Sequence, residues 1–222
     1  MNNYEVFSLF PVPVYKTNIE REFSKQEHDE FDAIISKDLE EKTPQKWKEI
    51  TTDKYLLKRK PLLTIKSFIE QHLKEFSTTV LGINENEASC DITQSWLNVY
   101  PPTAFNPVHH HINSIISGVF YINCLEYSGE KRDGINFTNS AHEIARDIEL
   151  PIAHSTIFSD KISNVSVATG DLVLFPSSVR HSVNINETPD QTRISLAFNA
   201  FAFGKLLQVG DDTSELILKQ GK

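Results

Sequence analysis

Apolar residues recur at helical spacing in two stretches of the first ninety residues. The first stretch begins at a capping box, Ser24–Glu27, and predicts a helix over residues 25–40. The second opens at Pro61, keeps one apolar stripe, and ends at Gly82, a residue type that commonly stops a helix. Ahead of both, residues 7–15 alternate apolar positions with prolines. Because proline cannot donate to a central ladder, this segment is expected to be an edge strand or an extended arm.

After residue 90 the pattern changes to short β-rich runs separated by turn residues. The candidate strands cover residues 92–100, 114–123, 135–138, 153–158, 164–168, 171–176, 180–185 and 192–203, with 214–219 as a candidate added edge. Turn formers separate 180–185 from 192–199, so these two are expected to pair as a hairpin. The charged segment 126–151 is expected to be a long loop that covers a mouth or binds substrate. This order predicts a mainly β protein with N-terminal helices and a jelly-roll core.

The change of pattern also suggests how the chain is organised. Residues 1–90 are expected to form an arm and helices that pack on a core made by residues 91–222, with one structural domain overall. A chain of 222 residues, 39% of them hydrophobic, is long enough for a single β-barrel or sandwich with a sizeable core. The N-terminal helices either support the sheet or form the contact of a homodimer, and both remain open.

The charge balance and the cysteine content exclude several classes of protein. The chain has 22 Lys and Arg against 30 Asp and Glu, a net charge of −8, so a long nucleic acid is not an expected partner. Two cysteines, Cys90 and Cys124, are too few for a disulfide framework and fit a reducing compartment. No segment resembles a signal peptide or approaches the roughly 18 apolar residues of a membrane span. We therefore expect a cytoplasmic protein with no membrane partner.

Three of the eight histidines are consecutive, at residues 109–111. Side chains two positions apart share one face of a strand, so His109 and His111 could bind one metal ion from the same side if this segment is extended. By the same parity, Asn98 and Tyr100 point to one face of the preceding strand. The alternative is that the three histidines are merely exposed or partly packed, and the sequence does not exclude it.

A further histidine, His181, begins the strand that follows Pro176. If the hairpin turn is centred near residue 187 or 188, His181 lies opposite Arg193 or Ser195 and shares a cavity with them. A buried arginine without a carboxylate partner from the protein is costly, so its natural counterion would be an anionic ligand. A surface ion pair is the alternative role of Arg193. Two histidines from one strand and one from another, beside an arginine, fit a non-haem iron site with open positions.

Taken in order, these motifs resemble the 2-oxoglutarate and Fe(II)-dependent oxygenases, in a branch with the H-x-H…H arrangement. The resemblance covers about residues 95–203 and is carried by His109–Ser114, Ser117–Tyr121, Gly170–Pro176 and His181–Val183. The pair Asn98-x-Tyr100, followed by His109, is also similar to the equivalent stretch of AlkB-like demethylases. Arg193-x-Ser195 is similar to the Arg-x-Ser pair that other members use on the distal carboxylate of 2-oxoglutarate.

The resemblance implies a double-stranded β-helix (jelly-roll) core and an Fe(II) ion held by His109, His111 and His181. Most of the superfamily has Asp or Glu where this chain has His111, so three neutral imidazoles would leave Fe(II) with its full +2 charge. The implied reaction is oxidative decarboxylation of 2-oxoglutarate to succinate and CO2 by O2, coupled to hydroxylation of a C–H bond in an unknown substrate. A small molecule or a peptide could be that substrate.

The resemblance also assigns the cosubstrate contacts. Arg193, assisted by Ser195 and Tyr100, would hold the far carboxylate of 2-oxoglutarate. Asn98 would support the near end. No separate catalytic base is implied, because the metal supplies the reactive chemistry and the protein supplies ligation, orientation and exclusion of water.

Two other classes of protein remain open at this point. A metal-binding cupin has a similar second motif, Gly170 to His181, but it needs a Glu four or five residues after His-x-His, where this chain has Ile115 and Ile116. The cupin hypothesis also gives Arg193 no role. A non-catalytic jelly roll that binds a carboxylate or a sugar, or acts as a structural subunit, would be consistent with the missing carboxylate ligand.

Overall fold

The computed structural model describes residues 4–41, 49–127, 132–139, 151–206 and 216–220. Within these residues, two β-sheets line a shared cavity, and two helices cover the outer face of the larger sheet. The helices are α1 (Lys25–Glu41) and α2 (Leu63–Glu75). The strands in chain order are β1 (Tyr15–Asn18), β2 (Glu49–Ile50), β3 (Ala88–Tyr100), β4 (Asn106–His109), β5 (Ile116–Asn123), β6 (Gly134–Thr138), β7 (Ile162–Ser166), β8 (Asp171–Pro176), β9 (His181–Val183), β10 (Arg193–Leu206) and β11 (Leu216–Leu218).

The order of strands in the two sheets identifies the topology. The larger sheet has the order β1-β8-β5-β10-β3-β2, and β11 pairs with β10. The smaller sheet has the order β4-β9-β6-β7. Neighbours in space are seldom neighbours in the chain, so the chain crosses repeatedly from one sheet to the other, as in a jelly roll. The predicted fold, mainly β with N-terminal helices and a double-stranded β-helix core, is confirmed.

Both predicted helices form, and their ends follow from the sequence. The backbone N–H of Ser24 donates to Glu27 Oε2 at 2.7 Å, and the N–H of Glu27 donates to Ser24 Oγ at 3.3 Å, so the capping box closes. Pro61 lies in a 3-10 turn that leads into α2, and a π-helical turn at Phe76–Val80 follows α2. Gly82 then adopts φ +71°, a left-handed conformation that glycine adopts without strain.

Strand parity divides the larger sheet into an apolar outer face and a more polar inner face. On β10, Leu196 and Phe198 are buried in the core under the helices, whereas Arg193 and Ser195 line the cavity. The core under the helices includes Phe31, Ile34, Ile65, Ile69, Leu73, Phe76, Leu97, Phe120, Leu172, Leu196 and Phe198. The outer face therefore anchors the sheet, and its inner face is left to carry the cavity.

Two segments differ from a predicted strand. Residues 7–15 were expected to be an edge strand or an extended arm; residues 4–14 contain no strand, which leaves the extended arm, and β1 begins at Tyr15 at the edge of the larger sheet. Residues 153–158 also contain no strand. There the N–H of Thr156 donates to Ser159 Oγ at 2.9 Å, and the N–H of Ser159 donates to Thr156 Oγ1 at 3.1 Å. These local bonds form a turn, because hydroxyl side chains compete with a neighbouring strand for backbone groups.

The predicted hairpin between residues 180–185 and 192–199 is wrong. Strand β9 pairs with β4 and β6, whereas β10 pairs with β3, β5 and β11. The turn formers between them build a crossover around Asn186, whose side-chain amide donates to the carbonyls of Tyr100 at 3.0 Å and Gln191 at 2.7 Å. The chain therefore reverses as expected but joins the opposite sheet.

Other predictions fall partly outside the described residues. The expected loop over 126–151 includes two such segments, 128–131 and 140–150, while β6 lies between them. Strand β11 supports the added edge expected over 214–219. The division of the chain at residue 90 stays a prediction. In the described part of the chain, no helix is both long and apolar enough to cross a membrane.

Candidate functional site

The three histidines singled out by spacing converge in one cavity. His109, on β4, is the Cα partner of His181 on β9. The ring centroids of these two lie 4.2 Å apart, and that of His111 lies 5.3 Å from His109 and 5.2 Å from His181. One nitrogen from each ring lies within 4.8 Å of the others, so the three residues could hold a single metal ion.

Backbone carbonyls orient two of these rings. His109 Nδ1 lies 2.9 Å from the carbonyl oxygen of Pro107, and His181 Nδ1 lies 3.0 Å from that of Val179. A carbonyl only accepts hydrogen bonds, so each Nδ1 carries the proton and each Nε2 keeps a lone pair for a ligand. Consistent with this, the amide of Asn106 lies 3.3 Å from His109 Nε2.

The third histidine is positioned differently from the sequence-based expectation. His111 lies beyond the end of β4 and outside any strand. Its backbone N–H donates to the backbone carbonyl of Ser177 at 3.0 Å. Ser177 belongs to a buried polar chain: its hydroxyl lies 2.8 Å from Ser117 Oγ, which donates to Asn199 Oδ1 at 3.0 Å. The loop that carries His111 is therefore attached to the inner face of the larger sheet.

Aromatic rings surround the histidine cluster. Phe175 meets His181 edge to face at 4.7 Å, and Phe137 lies 6.4 Å from the same ring. The ring of Trp96 lies 6.1 Å from that of His111. Only 3% of His181 is exposed, so this imidazole is held in an apolar wall with one edge facing the cavity.

The cosubstrate residues predicted from the sequence line the same cavity. Ser195 is the Cα partner of Asn98, and Arg193 is the partner of Tyr100, so all four come from the adjacent strands β3 and β10. Asn98 Oδ1 accepts a hydrogen bond from Trp96 Nε1 at 3.2 Å. The structure thus brings together all seven residues that the sequence singled out.

Arg193 is almost completely buried, with 2% exposure. Its guanidinium carbon lies 5.3 Å from the ring of Tyr121 and 5.8 Å from that of Tyr100, both distances of cation–π contacts. Burial opposes the charged form, but Tyr121, Asp133 and Tyr100 together raise the pKa of Arg193 above its ordinary value. Burial raises the pKa of Tyr100 to about 12, so its phenol stays protonated at neutral pH.

One expectation about Arg193 is wrong, because the protein does supply a carboxylate. Arg193 Nη1 lies 3.0 Å from Asp133 Oδ1, and Nη2 donates to the carbonyl of Gly134 at 3.1 Å. Arg193 Nε is buried and has no hydrogen-bond partner among the described residues. A buried donor without a partner is costly, so this N–H is suited to receive an acceptor atom from a ligand in the cavity.

Sequence reasoning missed several residues that line the cavity or contact its lining. Asp133 lies in the charged segment expected to be a loop, and no spacing rule connects it to an arginine so distant in the chain. Tyr121 and Ser117 carry a usable signal, since both lie on the inner face of β5 by parity. Asn106 and Asn199 also line or support the site without having been singled out.

Comparison with known proteins identifies the class of this cavity. Residues 94–199 match the family model described as "Putative 2OG-Fe(II) oxygenase". These residues form a 2OG-Fe(II) oxygenase domain. The matched range of this oxygenase domain includes every residue that the sequence singled out, from Asn98 to Ser195. Among curated proteins, no sequence match was found.

Solved structures share the fold at low sequence identity. A Pseudomonas putida prolyl-4-hydroxylase is 16% identical with a TM-score of 0.53, covering 85% of this chain and 92% of its own. The non-heme alpha ketoglutarate dependent carbocyclase SnoK from nogalamycin biosynthesis is 14% identical, with a TM-score of 0.55 and coverage of 95% and 90%. HygX from Streptomyces hygroscopicus, with nickel and 2-oxoglutarate bound, is 10% identical, with a TM-score of 0.52 and coverage of 85% and 82%. At these identities the likeness concerns the fold of the oxygenase domain.

Proposed function

We propose that the protein is a hydroxylase that uses Fe(II), 2-oxoglutarate and O2 and acts on a small molecule or a peptide. One observation carries this proposal: a single cavity contains three converging imidazoles and a buried arginine whose Nε–H has no partner in the described part of the chain. The first group suits a transition metal, and the second suits a carboxylate. Neither a cupin nor a binding module requires both in one cavity.

In the proposed reaction, the two atoms of O2 go to two different molecules. One oxygen atom enters 2-oxoglutarate, which loses CO2 and becomes succinate. The other oxygen atom is inserted into a C–H bond of the substrate and gives an alcohol. The four electrons that O2 accepts come in two pairs, one from 2-oxoglutarate and one from the substrate, so no other reductant is needed.

His109, His111 and His181 would hold the iron. Three imidazole nitrogens within 4.8 Å of one another fit a divalent transition metal, and because Nδ1 of His109 and of His181 faces a carbonyl, Nε2 would be the atom that coordinates it. When bound, Fe(II) supplies the redox chemistry that activates O2. Because no ligand is anionic, the site keeps the full charge of the ion, which favours a dianionic cosubstrate.

Arg193 would bind the distal carboxylate of 2-oxoglutarate through its Nε–H, to which no described residue supplies an acceptor. Tyr100 would donate a second hydrogen bond, since its pKa of about 12 keeps the phenol protonated. Ser195 and Asn98, on the neighbouring positions of β10 and β3, would orient the rest of the molecule. The apolar side chains Val119 and Phe175 line the same space and would exclude water.

The substrate class rests on the chemistry and on the fold alone. The P. putida structure is a prolyl-4-hydroxylase and SnoK is a carbocyclase, so the shared fold accommodates both peptide and small-molecule chemistry. The cysteines Cys90 and Cys124 are both free thiols, which supports the proposed cytoplasmic location.

An anaerobic titration tests the proposed function. Adding 2-oxoglutarate to the protein with Fe(II) should produce a weak visible charge-transfer band that is absent with either component alone. Admitting air should then convert 2-oxoglutarate to succinate, even without a substrate. If no band forms and calorimetry detects binding of neither component, the protein is not an oxygenase of this type.

A further inference from the structure

Asp133 is the carboxylate that contacts Arg193, and both side chains are buried. Asp133 Oδ1 lies 3.0 Å from Arg193 Nη1, with 4% and 3% of the two side chains exposed. The pair lies beside Tyr100 and Tyr121, whose rings flank the guanidinium. A buried ion pair in these surroundings is screened little by solvent.

Backbone contacts fix the aspartate in place. Asp133 Oδ1 accepts the N–H of Gly134 at 2.8 Å, and Oδ2 accepts the N–H of Leu125 at 3.1 Å. Its own carbonyl accepts the N–H of Val167 at 2.8 Å. Asp133 is therefore a fixed part of the wall where β5, β6 and β7 meet, rather than a side chain that could swing away from a ligand.

This arrangement has two opposite electrostatic effects. In the empty cavity, Asp133 compensates the charge of Arg193, which would otherwise be buried without a counterion at a large cost in folding free energy. When a ligand carboxylate approaches Arg193, the negative charge of Asp133 repels it. The net attraction is therefore weaker than that of a guanidinium without a counterion.

We propose that Asp133 is an internal counterion of Arg193 that lowers the affinity of the site for the distal carboxylate of 2-oxoglutarate. This inference rests on the proposed function, because it assumes that Arg193 receives that carboxylate. The distal carboxylate is unchanged when 2-oxoglutarate becomes succinate, so the same repulsion weakens binding of the product. Asp133 thus keeps the empty cavity stable while it favours release of succinate.

The test compares two ligands that differ in one charge. N-oxalylglycine carries a distal carboxylate, and its carboxamide carries a neutral group of the same size; both are measured by calorimetry against the metal-loaded, full-length protein. In the Asp133→Asn variant, the preference for the carboxylate over the carboxamide should increase on the order of tenfold. In the control variant Asp171→Asn the preference should equal that of the wild type. Asp171 is also a buried aspartate that accepts a backbone N–H, at 2.7 Å from Ala168, but its ion pair is with Lys16.

The outcomes separate this inference from the proposed function. An unchanged or reduced preference in Asp133→Asn overturns the internal counterion, and binding of neither ligand to the wild type overturns the proposed function instead. If Asp133→Asn does not fold, the inference is tested on the wild type alone, by its preference for N-oxalylglycine over the carboxamide. A preference below about a hundredfold, the upper contribution of one hydrogen bond to a charged group, is expected when Asp133 already compensates the guanidinium, and a larger one would show that Arg193 acts as an uncompensated charge.

Discussion

The two ends of the cavity are built on different principles. At the histidine end, the polar atoms of His109 and His181 are oriented by neighbouring backbone carbonyls, within two residues of each ring. At the arginine end, Arg193 is fixed by Asp133 and Gly134, which are remote in the chain. The histidine end is therefore prepared to take up a cation without further compensation. At the arginine end the charge of Arg193 is already compensated by Asp133, so an anion would have to bind beside this fixed carboxylate.

Removing a histidine should have the largest effect, because it takes one of the proposed metal ligands from the histidine end of the cavity. In His181→Ala, metal affinity should fall by more than about a hundredfold, since loss of a ligand exceeds the cost of losing an outer contact. Metal content after dialysis and the charge-transfer band measure this. The exposed neighbour His110 supplies the control, and His110→Ala should keep wild-type metal content. If His181→Ala retained its full metal content, His181 would not be a metal ligand.

Replacing Arg193 tests the arginine end of the cavity and leaves the histidine end unchanged. In Arg193→Lys, 2-oxoglutarate affinity should fall by roughly tenfold to a hundredfold, because lysine keeps the charge but lacks the planar fork. Metal affinity should stay close to that of the wild type. The control is Arg21→Lys, at a distant ion pair with Glu27. Equal cosubstrate affinity in Arg193→Lys and wild type would exclude Arg193 from the cosubstrate site.

The two ends also differ in how well the sequence predicts them. Alternation along a regular strand correctly predicted that Asn98 and Tyr100 share one face and that Arg193 and Ser195 share one face. The pairing of these two strands was not predicted, because Arg193 and Ser195 were expected opposite His181 in a hairpin that does not form. The same rule was less accurate for His111, because β4 ends at His109 and the contact that positions the next residues comes from Ser177. Local periodicity thus predicts which side chains share a face, but not where a strand stops.

Long-range partners were beyond the reach of the sequence. The turn formers around Asn186 correctly signalled that the chain reverses, but a turn signal does not say whether the next strand joins the same sheet or the opposite one. Similarly, the need of Arg193 for a counterion was recognised, but the partner Asp133 emerges only when β6 and β10 are brought together across the cavity.

A smaller effect is expected from the polar chain that holds His111. In Ser117→Ala, metal affinity should fall by about tenfold, because Ser177 and Asn199 lose their shared hydroxyl and the loop carrying His111 becomes less well fixed. Metal titration and thermal unfolding of the metal-free protein should be measured together, with the exposed Ser163→Ala as control. A lower melting temperature with unchanged metal affinity would mean that the chain only supports the fold.

The smallest effect is expected at Tyr100, and its pH dependence sharpens the contrast between the two ends. Burial raises the pKa of Tyr100 to about 12, so the phenol donates a hydrogen bond throughout the range from pH 7 to 9. Tyr100→Phe should therefore weaken 2-oxoglutarate binding by the same modest factor, about fivefold, at every pH in this range. Anaerobic titrations of both proteins at several pH values measure this.

The stability of the fold gives an independent check on the same phenol. Because the folded-state pKa lies above the ordinary value of 10.0, the protonated form is favoured by folding; this contribution is complete below pH 10 and is lost as the pH rises towards 12. Between pH 10 and pH 12, the free energy of unfolding of Tyr100→Phe should therefore decrease less than that of the wild type, as measured by urea unfolding. A loss of equal size in both proteins would mean that the phenol ionises as freely in the folded state as in the unfolded chain. Tyr100 would then be no fixed donor, and Arg193 would lack its expected assistant in the cavity.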